Sequence, residues 1–138
     1  RMLLKHKYIY GLAMLFFFGL GCKEILTVED ISEETPVLLA PLNGTEVAPG
    51  AVFFSWQKLR DASQYHLQLA TPNFENASQV LLDTLLESTF FSKELAKNSY
   101  EWRLQALNSD FETQYVKQPF VVAVSDDEKS EANNVFLD

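Results

Sequence analysis

The sequence is poor in the residues on which most active sites depend. It holds one cysteine, Cys22, and two histidines, His6 and His66, among 138 residues. A single cysteine excludes an internal disulfide and every multi-cysteine zinc site. Basic residues are few: 11 Lys and Arg stand against 19 Asp and Glu, for a formal net charge of −8. That sign is wrong for a nucleic-acid partner, so none is expected. No glycine-rich phosphate loop, EF-hand spacing or metal-ligand cluster occurs, and neither cofactor nor metal is expected. No apolar run reaches the roughly 20 residues that a membrane-spanning helix needs.

What is present is apolar and aromatic. Hydrophobic residues make up 47% of the chain, enough for a packed core in a length suited to one domain. Eleven Phe, five Tyr and two Trp favour strands over a helical bundle.

The charge is unevenly spread. Residues 1–21 carry Arg1, Lys5 and Lys7 and no acid; Tyr8 to Leu20 is uncharged, and Gly21-Cys22 follows. A basic start, a short apolar stretch and a small residue before the cut make 1–21 a secretory signal. Phe18-Gly19-Leu20-Gly21-Cys22 resembles a bacterial lipobox. The resemblance implies cleavage before Cys22, lipidation of that residue and attachment of the mature protein to a membrane. Several acyl chains on one cysteine anchor a protein without a spanning helix. Lys23-Glu24 and the acids behind it resemble the surface-export signals of Bacteroidota lipoproteins. That implies an outer-membrane protein facing outward; a plain charged linker would leave it facing the periplasm.

Residues 22–35 and 125–138 each carry five acids and one base. The first reads as an acidic tether and the second as an acidic, disordered tail, with Val135-Phe136-Leu137 a small apolar patch inside it. Residues 36–124 are left as the domain, with nine acids and six bases.

Within 36–124 the period is two. Val52, Phe54 and Trp56 alternate with Phe53, Ser55 and Gln57. Tyr65, Leu67 and Leu69 alternate with Gln64, His66 and Gln68. Tyr100, Trp102, Leu104 and Ala106 alternate with Glu101, Arg103 and Gln105. Further strands are expected over 37–42, 79–83, 85–91 and 115–124. Asn43-Gly44, Pro49-Gly50 and Asn108-Ser109-Asp110 read as turns, and Pro41 and Pro119 as marks of sheet edges. About seven short strands predict an all-β sandwich held by packing alone, with one Trp from each sheet.

The stretches Trp56, then Asp61 to Leu69, and Tyr100-Glu101-Trp102-Arg103-Leu104-Gln105-Ala106-Leu107-Asn108 resemble strands of a fibronectin type III domain, over essentially all of 36–124. The resemblance implies a single immunoglobulin-like sandwich and a corner hydrogen bond from Tyr100. The family's usual Leu-x-Pro-x-Thr approach to that tyrosine is replaced by Leu95-Ala96-Lys97-Asn98-Ser99. Such domains serve as spacers, adhesion modules and binding platforms.

No catalytic residue is expected. A nucleophilic triad needs a histidine, and His66 falls on the polar face of an alternating strand. Carboxylate pairs suited to glycoside hydrolysis arise by chance among 19 acids, and Asp126-Asp127-Glu128 reads as solvated charge. Asn43-Gly44-Thr45 and Asn76-Ala77-Ser78 match a eukaryotic sequon that a bacterial lipoprotein would not use. Asp83-Thr84-Leu85 resembles the O-glycosylation sequon of Bacteroidota envelope proteins, which implies a glycan on Thr84. Phe53, Phe74, Phe111 and Tyr115 are candidates for an exposed binding patch, and one of Phe90 and Phe91 must face out.

The expected function is non-enzymatic: a lipid-anchored envelope protein presenting a binding or scaffolding sandwich to a protein or glycan partner. One alternative is a carbohydrate-binding accessory lipoprotein of a glycan-uptake system, which needs an exposed aromatic platform. Another is an assembly partner that pairs through an edge strand.

Overall fold

The alternating residues of the three clean stretches become the inner faces of two packed sheets. A computed structural model describes residues 27–125. The signal 1–21, the lipidation site Cys22 and Val135-Phe136-Leu137 lie outside the described residues. Every element among those described is a strand: β1 (Leu38–Ala40), β2 (Thr45–Val47), β3 (Gly50–Trp56), β4 (Gln64–Thr71), β5 (Gln79–Leu86), β6 (Phe90–Leu95), β7 (Asn98–Leu107) and β8 (Val116–Val122). One sheet has the order β1-β3-β6 and the other β2-β8-β7-β4-β5. The expected all-β sandwich is present, with eight strands rather than about seven.

The core is aromatic and drawn from both sheets. Phe54 and Trp56 of β3 meet Trp102 of β7 and Phe120 of β8. Phe54 packs edge-on against Trp102, with ring centres 5.3 Å apart, and against Phe120 at 5.8 Å. Trp56 and Trp102, one from each sheet, lie 6.4 Å apart. These are the offset and edge-to-face geometries that aromatic quadrupoles favour.

The turns also follow the expected chemistry. Gly44 has φ 73°, the left-handed region open to glycine. The turn around it closes when Thr45 N donates to Leu42 O at 3.1 Å. The corner hydrogen bond forms despite the altered approach: Tyr100 Oη donates to Ala96 O at 2.7 Å. The acceptor is a backbone carbonyl, so the bond does not need the family's proline and threonine.

Three features differ from the sequence expectation. Residues 79–83 and 85 belong to one continuous strand, and the chain turns only at 87–89 before β6. β5 lies at an open sheet edge, where none of its residues is fully buried and the alternation is correspondingly weak. The short β2, which pairs parallel with residues 120–122 of β8, is masked in the sequence by turns on both sides. Pro119 lies just outside that pairing, where its missing N–H leaves no gap in a ladder. Third, the packed unit begins before Pro36. Ile31 is 2% exposed and belongs to the core, and Glu29 O accepts a hydrogen bond from Asn108 Nδ2 at 2.8 Å.

Candidate functional site

The two outer faces of the sandwich differ in chemistry. On the three-stranded sheet, β3 and β6 run antiparallel with Phe53 opposite Ser92 and Ser55 opposite Phe90. Directly opposed residues share a face, so Phe53 and Phe90 project outward diagonally with the two serines between them. Phe53 is 68% and Phe90 67% exposed. Phe91 packs on the core, as alternation requires. Leu39 of β1 is also exposed on this sheet. A hollow of about 340 Å³ borders Phe53, among Pro41, Val47 and Pro49.

The outer face of the five-stranded sheet is polar and covered in part by loops. Glu101 and Gln105 point away from the core as alternation dictates, yet they are only 9% and 8% exposed. Glu101 Oε1 accepts from Phe74 N at 3.0 Å, and Gln105 Nε2 donates to Thr113 O at 2.9 Å. The segments after β4 and β7 lie over the strand and satisfy both polar side chains, as burial demands.

Between these covers runs a chain of polar and aromatic groups. Arg103 of β7 donates from Nε to Gln68 Oε1 of β4 at 2.6 Å. Its guanidinium stands 4.2 Å from the Phe74 ring centre and 4.7 Å from that of Tyr115, within cation–π range. Tyr115 Oη lies 2.6 Å from His66 Nδ1, and His66 Nε2 contacts Asp83 Oδ1. A carboxylate only accepts, so Nε2 is the donor to Asp83, and in the neutral imidazole Nδ1 accepts the Tyr115 hydroxyl.

An acid–histidine–hydroxyl chain resembles catalytic machinery in outline, but its chemistry differs. The hydroxyl belongs to Tyr115, whose pKa is raised by burial against the smaller opposing effect of Arg103. At neutral pH the chain therefore ends in a phenol and not in an activated nucleophile. It straps the 108–115 segment to β4 and β5.

The hydrogen bond from His66, followed by one from Gln68, lowers the Asp83 pKa below the ordinary 3.8. The sign follows from linkage: the contribution of this carboxylate is present above the unfolded value and is lost as pH falls through the folded one. The Asp83 carboxyl is expected to titrate below 3.8 in a carbon-detected NMR titration, and Gln in place of His66 to move that midpoint upward. A midpoint at 3.8 or above in the native protein would mean that the contact is not held in solution.

The four proposed patch residues do not form one surface. Phe53 lies on the three-stranded sheet. Phe74 and Tyr115 lie together on the opposite side, against Arg103. Phe111 packs against the core, where Asn108 Oδ1 accepts its backbone N–H at 2.8 Å. Thr84 stands opposite Leu67 on the inner side of β5 and is half-buried at the sheet edge.

The fold has counterparts among solved structures. The chain superposes on the fn3 domain of human collagen alpha-1(XX) chain with a TM-score of 0.51 at 16% identity, over 68% of this chain and 91% of that one. The fold is that of a fibronectin type III domain. Fibronectin(III)-like modules of Clostridium thermocellum CbhA give a TM-score of 0.47 at 13% identity, covering 64% of this chain and 95% of theirs. No protein-family model and no curated protein matches the sequence. At these identities the likeness is one of fold, and function has to be argued from the surfaces of this fibronectin type III-like domain.

Proposed function

We propose that this chain is a lipid-anchored protein of the bacterial cell envelope that presents a non-enzymatic binding sandwich above an outer membrane. The anchor reading rests on the sequence around Cys22. The binding reading rests on one observation: Phe53 and Phe90 both project from the outer face of the three-stranded sheet. A spacer needs no paired exposed aromatics, whereas clustered apolar surface marks contact sites. A glycan partner is the second reading, favoured by Ser55 and Ser92 beside the two rings, since hydroxyls flanking an aromatic platform suit a sugar.

Changing Cys22 to Ala is expected to release the protein from membranes or leave its signal uncut, read by fractionation and intact mass. Unchanged attachment with unchanged processing would sink the anchor. Changing Phe53 and Phe90 together to Ser is expected to change the unfolding free energy by at most about 1 kcal/mol, because both side chains are exposed. The same change is expected to abolish a stoichiometric cross-link formed in intact membranes. A monomer recovered without any adduct would argue against the contact surface.

A further inference from the structure

The Arg103 guanidinium is held but not neutralised. Its Nε is committed to Gln68 and its plane is flanked by Phe74 and Tyr115. Among the described residues no carboxylate forms an ion pair with it; the ion pairs there are Arg60–Asp61 and His66–Asp83. The acids nearby are already engaged, Asp83 by His66 and Glu101 by the Phe74 amide. Lys117 of β8 stands directly opposite Arg103 in the β7–β8 register. It is exposed and likewise has no ion-pair partner among the described residues.

Two like charges at a directly opposed pair repel. A bridging anion removes that cost. The guanidinium fork is already oriented by two rings and a glutamine, so little side-chain freedom is lost when it binds. We propose that Arg103 and Lys117 form a carboxylate-binding site on the outer face of the five-stranded sheet, taking an Asp or Glu side chain of a partner peptide. Arg103 supplies a two-toothed contact from its terminal nitrogens and Lys117 a single charge. A long polyanion does not fit this surface, because residues 36–124 carry nine acids against six bases. This site is separate from the Phe53–Phe90 face and does not depend on it.

The test is an NMR titration of the isotopically labelled full chain with the blocked peptide acetyl-Gly-Glu-Gly-amide. Its Gln counterpart and glucuronate serve as comparisons at matched ionic strength. The expected result is saturable shifts at Arg103 Nε and at the Tyr115 and Phe74 rings with the Glu peptide only. Arg103→Lys is expected to weaken binding about tenfold, through loss of the forked contact. Lys117→Gln, at an exposed position that leaves the fold intact, is expected to weaken it about threefold. Equal shifts with the Gln peptide, or affinity unchanged in Lys117→Gln and Arg103→Lys, would overturn the site. Tighter binding of glucuronate would overturn the peptide assignment. A chain ending at Ser125 is expected to bind as the full chain does. If that cut itself reproduced the shift pattern in reverse and raised affinity, the occupant would be residues 126–138, and the partner assignment would fall.

Discussion

Trp102→Ala is expected to lower the unfolding free energy by about 4 kcal/mol, within the range for deleting a buried tryptophan side chain. Three losses combine. The indole is fully buried between Phe54 and Trp56, so its removal leaves a cavity at the junction of the two sheets. The edge-to-face contacts are lost with it. The indole Nε1–H also donates to Pro41 O at 3.0 Å, and that carbonyl would lose its partner. Domains of this size hold only about 5–15 kcal/mol in all, so the variant should lose between about a quarter and most of its stability. Guanidinium unfolding followed by tyrosine and residual tryptophan signals measures the effect, and a loss below about 1 kcal/mol would contradict the packing described.

Trp56 supplies the internal control. It is buried as deeply, but its Nε1 has no hydrogen-bond partner. Trp56→Phe removes an unsatisfied donor along with some volume, whereas Trp102→Phe strands the Pro41 carbonyl. An unmade buried hydrogen bond costs about 1–3 kcal/mol, so Trp102→Phe should be the more destabilising by about 1 kcal/mol. Equal costs for the two phenylalanine variants would mean that Trp56 Nε1 reaches a water and that the two sites are equivalent.

The inner faces of β3, β4 and β7 were legible because each strand is covered by the opposite sheet on one side only, which prints a period of two on the sequence. The relay of Tyr115, His66 and Asp83 was not. His66 and Asp83 are 17 positions apart and His66 and Tyr115 are 49 apart. They meet because the β4–β5 register sets Gln68 opposite Asp83 and Leu85 opposite His66, which makes His66 and Asp83 diagonal neighbours. Only the full extent of β5 implies that, and the sequence pattern divides it at Thr84. The burial of Glu101 and Gln105 was hidden for a related reason. Their covers come from loops, whose path no strand periodicity encodes. The exposed aromatic at Phe53 follows from alternation alone, but Phe74 and Phe111 sit in loops with no strand face to assign, and Tyr115, at the start of the expected strand 115–124, lies one residue before β8.

At the N-terminus the acidic composition masks a single isoleucine that the core takes in. Residues 27–35 carry four acids and look like solvated linker, yet Ile31 enters the core. Its approach is fixed locally. Ser32 donates to Asp30 Oδ1 from both its backbone N and its Oγ, and Glu34 N donates to Ile31 O at 2.9 Å. Asn108 joins this segment to the rest of the domain. Its Nδ2 donates to Glu29 O and Asp61 O, while its Oδ1 accepts from the Asp110 and Phe111 amides. Under the anchor proposal, residues 22–28 lie between the lipid and Glu29, whose carbonyl is held by Asn108. Fully extended, seven residues span at most about 25 Å, so the domain would be held close to the membrane surface.

Ile31→Ala therefore has a definite expected cost. Burying an isoleucine contributes about 1.5–3 kcal/mol, and truncation in a rigid core costs about 2–5 kcal/mol. Ile31 lies on a terminal segment that can detach, so the loss is capped by what docking contributes, and about 2 kcal/mol is expected. Two further variants separate docking from simple cavity formation. A chain starting at Pro36 should lose at least as much as Ile31→Ala, because it also frees the Asn108 amide from Glu29. Adding Ile31→Val to the intact chain should cost only about 0.5–1.5 kcal/mol. Equilibrium unfolding of all three against the parent checks the order. Identical denaturant midpoints for the parent and Ile31→Ala would return residues 27–35 to the tether.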